Sequence, residues 1–109
     1  MNISDSEDII IGTITQGIEQ SDLDYFLDTV KEDCFSTKQY RDFYKLVKDL
    51  RERDVPVTLE TLRLHLSETI HKFLLLSYAN SSAEFKEAVN VLRVCSIEKQ
   101  MPKGCRIVF

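Results

Sequence analysis

The sequence has no tryptophan, only two prolines and only three glycines among its 109 residues. Strands in a small sheet protein are joined by turns that depend on glycine and proline, so this scarcity argues against a β fold. With 43% hydrophobic residues, a chain of this length can form a modest core without metals or disulfides. We therefore predict an all-α fold in one compact unit.

The sequence also lacks an excess of basic residues: it has 14 lysines and arginines against 18 acidic residues, and its net charge is −4. We expect no direct nucleic-acid partner, since phosphate backbones attract positively charged surfaces. Neither a basic segment followed by an apolar run near Met1 nor a long apolar stretch is present, which predicts a cytoplasmic protein without a membrane segment. Cys34, Cys95 and Cys105 are odd in number and widely spaced, as expected of reduced thiols.

Motifs that carry catalysis or bind cofactors are missing from the sequence. No G-x-x-x-x-G-K-[ST] run occurs, and Gly12, Gly17 and Gly104 stand too far apart to form a phosphate loop. His65 and His71 are six residues apart, on different sides of a helix, and no cysteine pair has metal-ligand spacing. We predict no enzymatic activity, no catalytic residue, no metal and no cofactor for this chain.

The segment 34–62 is predicted to form a helix, a proline-containing turn and the start of a second helix. Ser36 or Thr37 is expected to cap the first of these helices, and Thr58 the second. Asp54 stands where the end of a helix often requires a left-handed residue. The apolar side of the first helix consists of Tyr40, Phe43, Tyr44, Val47 and Leu50, at the spacing of a buried face.

The other side of this helix carries the basic residues Lys38, Arg41, Lys45 and Lys48. One hypothesis is that they form a patch for nucleic acid or for an acidic partner. The alternative is an ordinary solvated face, on which lysines pair with acidic residues four positions later. We favour this second interpretation, and the expected pairs are Lys38 with Asp42, Lys45 with Asp49 and Lys48 with Glu52.

Two helices are predicted before this segment. Ser4 with Glu7, and Ser21 with Asp24, have the spacing of capping boxes at their starts. Gly12 in the first helix is either a tolerated defect or a point of close packing between helices, and we favour close packing. The predicted core consists of Ile11, Ile14, Phe26, Leu27, Phe35, Phe43, Val47, Leu50 and Leu62.

The C-terminal third carries more apolar surface than one small core can cover. Between residues 70 and 78, apolar side chains fall on nearly every side of a predicted helix. The last helix, which Ser81 and Glu84 are expected to cap, has a second apolar face beside its main stripe. Because surplus apolar surface is typical of contact sites, we predict a protein-interaction surface formed by Phe73, Leu76, Tyr78, Val91, Val94, Ile97 and Met101.

Three motifs along the chain resemble those of one family. Residues 7–12 match the pattern E-x-x-[VIL]-[LI]-G, and residues 35–44 carry Phe, an Arg six positions later, and then Phe and Tyr. Residues 54–62 are similar to G-x-P-[IV]-D-x-x-T-L, with Asp54 in place of the glycine and Thr58 in place of the aspartate. In order and register, these motifs resemble the N-terminal domain of the DnaB family of replicative DNA helicases.

The resemblance implies a non-catalytic assembly and docking domain of a hexameric replicative helicase from a bacterium or a phage. In that family the domain associates in pairs to form a collar and binds primase, and a helicase loader is a further partner. ATP and Mg²⁺ are then expected only in a C-terminal motor domain outside this chain. The implied layout is a head of about four helices at residues 1–68, a helical hairpin at 69–101 and a tail or linker at 102–109.

Two other hypotheses follow from the same residues. A stand-alone phage-type regulator that mimics the collar would bind helicase, loader or primase. A Walker A motif in the reading frame after Phe109 would support the helicase, whereas a stop codon would support the regulator. A small nucleic-acid-binding domain would instead be retained on DNA in a manner that falls steeply with salt.

Overall fold

The computed structural model describes residues 2–100 of the chain and the side chains of residues 2–94. This part of the chain forms six α-helices and one 3₁₀ turn, Glu32–Cys34, and contains no strand, which confirms the all-α prediction. None of these helices has the length and apolar character needed to cross a membrane. The helices are α1 (Ile3–Gln16), α2 (Gln20–Thr29), α3 (Lys38–Glu52), α4 (Leu59–Leu66), α5 (Thr69–Leu74) and α6 (Ser82–Gln100).

Side-chain caps start three of the helices as predicted. Thr37 and Thr58 each accept the backbone amide three residues later, at 3.3 and 3.2 Å, and so begin α3 and α4. At α6 the hydroxyl of Ser81 accepts the amide of Glu84 at 3.2 Å. The carboxylate of Glu84 reaches back to the amide of Asn80 at 3.3 Å, one residue before the Ser81 amide that a reciprocal capping box would use.

The predicted cap of α1 is wrong. Asn2 is the N-cap, and its Oδ1 accepts the amide of Asp5 at 2.8 Å, while Ser4 lies inside the first turn. Glu7 does not reach back to the start of its own helix, because its carboxylate binds Ser36 near the start of α3. Several side chains in this segment have capping chemistry, and packing of Glu7 against another element decides which of them is used.

The predicted cap of α2 is wrong as well. The helix begins at Gln20, before Ser21, and no side-chain capping bond is made by its N-cap residue. Asp24 instead accepts hydrogen bonds from Nε and Nη2 of Arg51, at 3.0 and 2.9 Å. This charge-assisted contact ties α2 to the end of α3.

The charged side of α3 is paired differently from the prediction. Lys45 pairs with Glu32 of the 3₁₀ turn at 3.1 Å, and Asp49 pairs with Arg53 at 3.2 Å, so the expected pair of Lys45 with Asp49 is wrong. The half-buried Arg41 donates from Nη1 to the carbonyl of Phe35 at 3.1 Å. Arg41 therefore fixes the entry to α3 and is not part of a free basic patch.

The core is one cluster to which every α-helix contributes. The ring of Phe26 in α2 makes T-shaped contacts with three aromatic rings, those of Phe35, Tyr44 and Phe85, whose centroids are 6.1, 5.5 and 6.3 Å away. All predicted core residues are buried except Leu27, which is partly buried at the edge of the cluster. The cluster continues from α4 into α5 and α6, and the domain boundary at residue 68 stays a prediction.

The long apolar helix predicted over residues 70–78 ends early, because α5 has only six residues. The chain continues as an irregular segment, residues 75–81, which lies on α1. Oγ1 of Thr13 accepts the amide of Ala79 at 2.7 Å, and a β-carbon at Gly12 would collide with the carbonyl oxygen of Ser77. Close packing at Gly12 is thus confirmed, although its partner is irregular backbone and not a helix.

Candidate protein-interaction surface

A shallow groove of about 560 Å³ follows the outward side of α6. Its apolar part includes Val94, which is 56% exposed, and Val91, which is half-buried. Charged and amide side chains stand beside these valines. We call this site the α6 groove, and the residues that line it are Ala83, Lys86, Glu87, Asn90, Val91 and Val94.

The α6 groove exists because the helix has apolar residues on more than one face. The inward stripe of α6, Phe85, Ala88, Val89 and Leu92, is buried in the core. Residues three, four, seven and eleven positions after Ala83 fall together on another side of the helix, since a helix turns once in about 3.6 residues. Val94 lies on this side of α6, and among the described residues nothing covers it from solvent.

Side chains from α2 and the start of α6 fix one rim of the groove. The hydroxyl of Tyr25 donates to Oδ1 of Asn90 at 2.9 Å, and Nζ of Lys86 stands 5.5 Å from the centroid of the Tyr25 ring. Asp22, itself buried, accepts from Oγ of Ser82 at 2.7 Å and lies 4.0 Å from Nζ of Lys86. Rim groups that are already ordered lose less conformational freedom when a partner binds.

The structure corrects one of the predicted interaction residues. Phe73 is only 2% exposed, and its ring packs edge-on against Phe43 with centroids 5.2 Å apart. It also lies against Tyr40, with centroids 5.9 Å apart. Phe73 is therefore a core residue. Residues of α3 cover the side of α5 that was predicted from the apolar pattern to be an exposed contact surface.

The other predicted residues are divided between two places. Val91 and Val94 lie together in the α6 groove. Leu76 is half-buried beside Gly12, and Tyr78 is exposed in the irregular segment 75–81, so neither lines the groove. Ile97 and Met101 lie outside the residues whose side chains are described, and their part in an interface stays a prediction.

Four residues that line the groove are absent from the predicted set of interaction residues: Ala83, Lys86, Glu87 and Asn90. Their helical spacing from Val94 is a signal that could have found them, because it puts all four on one side of α6. Tyr25 leaves no such signal. It comes from α2, and only the packing of α2 on α6 brings its hydroxyl to Asn90.

Two leucines outside the groove are more exposed than Val94. Leu64 of α4 is 84% exposed, and Leu75, just after α5, is 88% exposed. Neither is among the residues that line the α6 groove. Isolated apolar side chains of this kind are common on protein surfaces, and they provide control positions for substitutions in the groove.

Ionisable groups with perturbed pKa values lie away from the groove. Burial raises the pKa of Tyr40, as does the hydrogen bond that its hydroxyl donates to Asp8 at 2.5 Å. Burial also raises the pKa of Tyr44, whose hydroxyl donates to the carbonyl of Val30 at 2.7 Å. Among the described residues, no group of three or more His, Cys, Asp or Glu side chains is placed to hold a metal ion.

The sequence of residues 1–94 matches the family model described as the DnaB-like helicase N-terminal domain. The match extends from the start of α1 to Val94 in the α6 groove. No curated protein and no solved structure matches the chain.

Proposed function

This chain belongs to the family of DnaB-like helicase N-terminal domains, and on that premise we propose that it is an assembly and docking domain of a hexameric replicative DNA helicase. In this role it associates with further copies of itself and binds a helical domain of primase during DNA replication. The observation that carries the docking role is the α6 groove, where the exposed Val94 stands beside an ordered polar rim.

The composition of the groove suits a modest, reversible interface. Burial of Val91 and Val94 by a partner stabilises the complex, because apolar surface is removed from water. Lys86, Glu87 and Asn90 set the orientation of that partner. A partner helix can lay an apolar stripe into such a groove, with side chains at three- and four-residue spacing. This mode of binding needs no large rearrangement of α6.

The chain itself is proposed to have no catalytic role. ATP hydrolysis and Mg²⁺ binding are assigned to the C-terminal motor domain of the parent helicase, and a cytoplasmic location follows from a role in replication. A helicase loader is a further proposed partner. The work of this domain is then done by surface contacts alone.

The docking proposal is tested by placing a charge in the groove. Because Val94 is 56% exposed, Val94→Glu is expected to change the free energy of unfolding in urea by less than about 0.5 kcal/mol. Its affinity for the helical domain of primase from the same source, measured by calorimetry, should fall at least about tenfold. Leu75→Glu is the matched control, since it charges an exposed leucine outside the groove, and its affinity should equal that of the parent chain.

Three results would contradict the docking proposal. If Val94→Glu loses affinity and stability together, Val94 is a structural residue. If Val94→Glu binds primase as the parent does, the docking site lies elsewhere. If Leu75→Glu weakens binding as much as Val94→Glu, the effect comes from added negative charge and not from the groove.

Self-association is proposed to use α5, α6 and the chain that follows α6. Light scattering on the full chain should show a species heavier than the 12.7 kDa monomer, in an amount that grows with protein concentration. A weak dimer is expected, because the ring of the parent helicase also relies on its motor domain. A chain that remains monomeric at millimolar concentration would remove this part of the proposal.

A further inference from the structure

Helices α4 and α5 meet at a strained residue. Ser67, which follows α4, has φ of 40° and ψ of −103°. A positive φ is costly for a residue with a β-carbon, and this pair of angles lies outside the left-handed helical region, so the turn stores strain. We propose that residues 59–74 form a two-state switch: α4 and α5 are separated at Ser67 in the structure, and they join into one continuous helix in a second, less populated state. The α6 groove plays no part in this switch.

The sequence of residues 59–74 favours the continuous helix. It contains no proline or glycine, and its apolar residues recur three or four positions apart. On an unbroken helix they would form one stripe, which consists of Leu59, Leu62, Leu66, Ile70 and Phe73. Glu68 precedes Lys72 by four positions, the order of charges that stabilises a helix. The local preference of this segment therefore conflicts with the break, and such conflicts are expected at strained or functional sites.

The break also interrupts the hydrogen bonds of the helix. The amide of Ser67 donates to the carbonyl of Arg63 at 3.1 Å, as in a regular α-helix. The amide of His71, in contrast, donates at 3.3 Å to the carbonyl of Glu68, only three residues back. A continuous helix would give these amides, and those between them, acceptors four residues back. The second state thus gains regular hydrogen bonds and releases the strain at Ser67.

Contacts with the core favour the separated helices and are stronger for α5 than for α4. Phe73 of α5 packs against Phe43 and Tyr40 of α3, with ring centroids 5.2 and 5.9 Å apart. Ile70 of α5 is buried as well, whereas Leu62 is the one buried residue of α4. Because burial of apolar side chains is the main force that holds each helix on the core, α4 is the half that moves when the two helices join.

The chain before α4 leaves room for this movement. Residues 56–58, which connect α3 to α4, border a cleft of about 360 Å³ beside α2 and the end of α3. Segments with few buried contacts open at a lower cost than the whole domain. When α4 moves, Leu62 and the half-buried Leu59 and Leu66 become accessible, while α1, α3 and α5 stay packed. The switch therefore exposes an apolar stripe without unfolding the core.

The switch is tested by two substitutions of Ser67 that act in opposite directions. Ser67→Gly removes the steric cost of the positive φ and should make the joined state at least about fivefold less populated. Ser67→Ala keeps that cost and favours helix, so the joined state should become about twofold more populated. Populations are measured on the full chain by relaxation dispersion of leucine methyl groups, in which Leu62 is expected to exchange between two environments.

Controls separate this switch from other motions. Ser21→Gly and Ser21→Ala make the same replacements at an exposed serine inside α2, and they should leave the dispersion of Leu62 unchanged. The methyl groups of Val47, buried in α3, should show no exchange, because the core stays packed in both states. The Cα chemical shifts of Ser67 and Glu68 in the minor state, measured by saturation transfer, should have helical values.

Four results would overturn the switch. Absence of exchange at Leu62 in Ser67→Ala would show that no second state is populated. Equal populations in Ser67→Ala and Ser67→Gly would show that the strain at residue 67 does not control the equilibrium. Exchange shared by Val47 would show unfolding of the whole domain, and non-helical shifts of Ser67 in the minor state would show that α4 unfolds locally and does not join α5.

Discussion

The backbone carbonyl of Ser77 lies against Gly12 of α1, in the space that a side chain at residue 12 would fill. A β-carbon there would lie 3.1 Å from the carbonyl carbon of Ser77 and 3.2 Å from Cβ of Leu76, and it would overlap the Ser77 oxygen. At the next position, Thr13 receives the amide of Ala79. These two contacts hold the irregular segment 75–81 on α1 and thereby set where α6 begins.

Gly12→Ala is expected to destabilise the chain by about 1–3 kcal/mol, measured by urea unfolding. Alanine favours an isolated helix by about 1 kcal/mol over glycine, so a net loss would show that the contact with Ser77 outweighs helix propensity. Ser4→Ala, on the exposed side of the same helix, serves as the control and should change stability by less than about 0.5 kcal/mol. A Gly12→Ala chain more stable than the parent would refute the role of the close approach.

Glu7 makes the corresponding polar contact between α1 and the start of α3. Glu7 is only 3% exposed, and its carboxylate accepts the amide of Ser36 at 2.6 Å and the Ser36 hydroxyl at 2.9 Å. Glu7→Gln keeps the size of the side chain but turns one acceptor oxygen into a donor. We expect a loss of about 1–3 kcal/mol in unfolding free energy, because a hydrogen bond to a buried carboxylate is lost.

The matched control for Glu7→Gln is Asp5→Asn, which neutralises an exposed carboxylate in the same helix. A double-mutant cycle with Ser36→Ala should give a coupling energy of about 0.5–3 kcal/mol. If the two substitutions are additive, Glu7 and Ser36 do not stabilise each other and the hydrogen bonds between them carry no net free energy.

Asp54 ends α3 in a left-handed conformation, with φ of 60°. Its amide donates to the carbonyl of Arg51 at 3.1 Å, and the amide of Val55 donates to the carbonyl of Leu50 at 2.8 Å, which is the pattern of a Schellman motif. Asp54→Gly should stabilise the chain by about 1 kcal/mol, because glycine adopts this conformation without the steric cost of a β-carbon. Asp54→Ala should be less stable than Asp54→Gly, and the opposite order in thermal unfolding would show that the side chain of Asp54 has a stabilising role of its own.

In the structure, the residues that carry the family resemblance make contacts that stabilise the fold. Glu7 holds the start of α3, Gly12 admits the backbone of residues 75–81, Arg41 binds a carbonyl before α3, and Asp54 ends that helix. None of these residues lines the α6 groove. The motifs therefore identify the fold, whereas the docking surface has to be inferred from exposure on α6.

The caps of α3 and α4 could be predicted from near neighbours, whereas those of α1 and α2 could not, because Glu7 and Asp24 bind distant partners instead. The caps Thr37 and Thr58 need only an amide three residues away. Phe73 is buried against Phe43, which is thirty positions earlier in the chain. The apolar pattern around Phe73 does not show this contact, and it therefore predicted a residue on the surface. No proline or glycine marks the early end of α5 in the sequence. The segment that follows, residues 75–81, is held by its contacts with α1, and these contacts are not visible in the sequence.

The raised pKa values of Tyr40 and Tyr44 predict a loss of stability at alkaline pH. Burial is the main cause for both, and for Tyr40 the hydrogen bond to Asp8 adds to it. In the unfolded chain both phenols lose their protons near the ordinary value of 10.0, while the folded chain retains them to higher pH. The stabilisation is therefore fully present below pH 10 and declines as the pH rises above it, because the unfolded state then binds fewer protons than the folded state.

Urea unfolding of the parent chain at successive pH values should show this decline above pH 10, the ordinary pKa of both phenols. Tyr40→Phe removes one titrating hydroxyl together with its hydrogen bond to Asp8, so this variant should be less stable than the parent at neutral pH and lose less stability as the pH rises. Tyr44→Phe should flatten the same limb, since the hydroxyl that donates to Val30 is gone. A parent chain and a Tyr40→Phe chain with parallel alkaline limbs would show that the phenol of Tyr40 titrates alike in the folded and unfolded states.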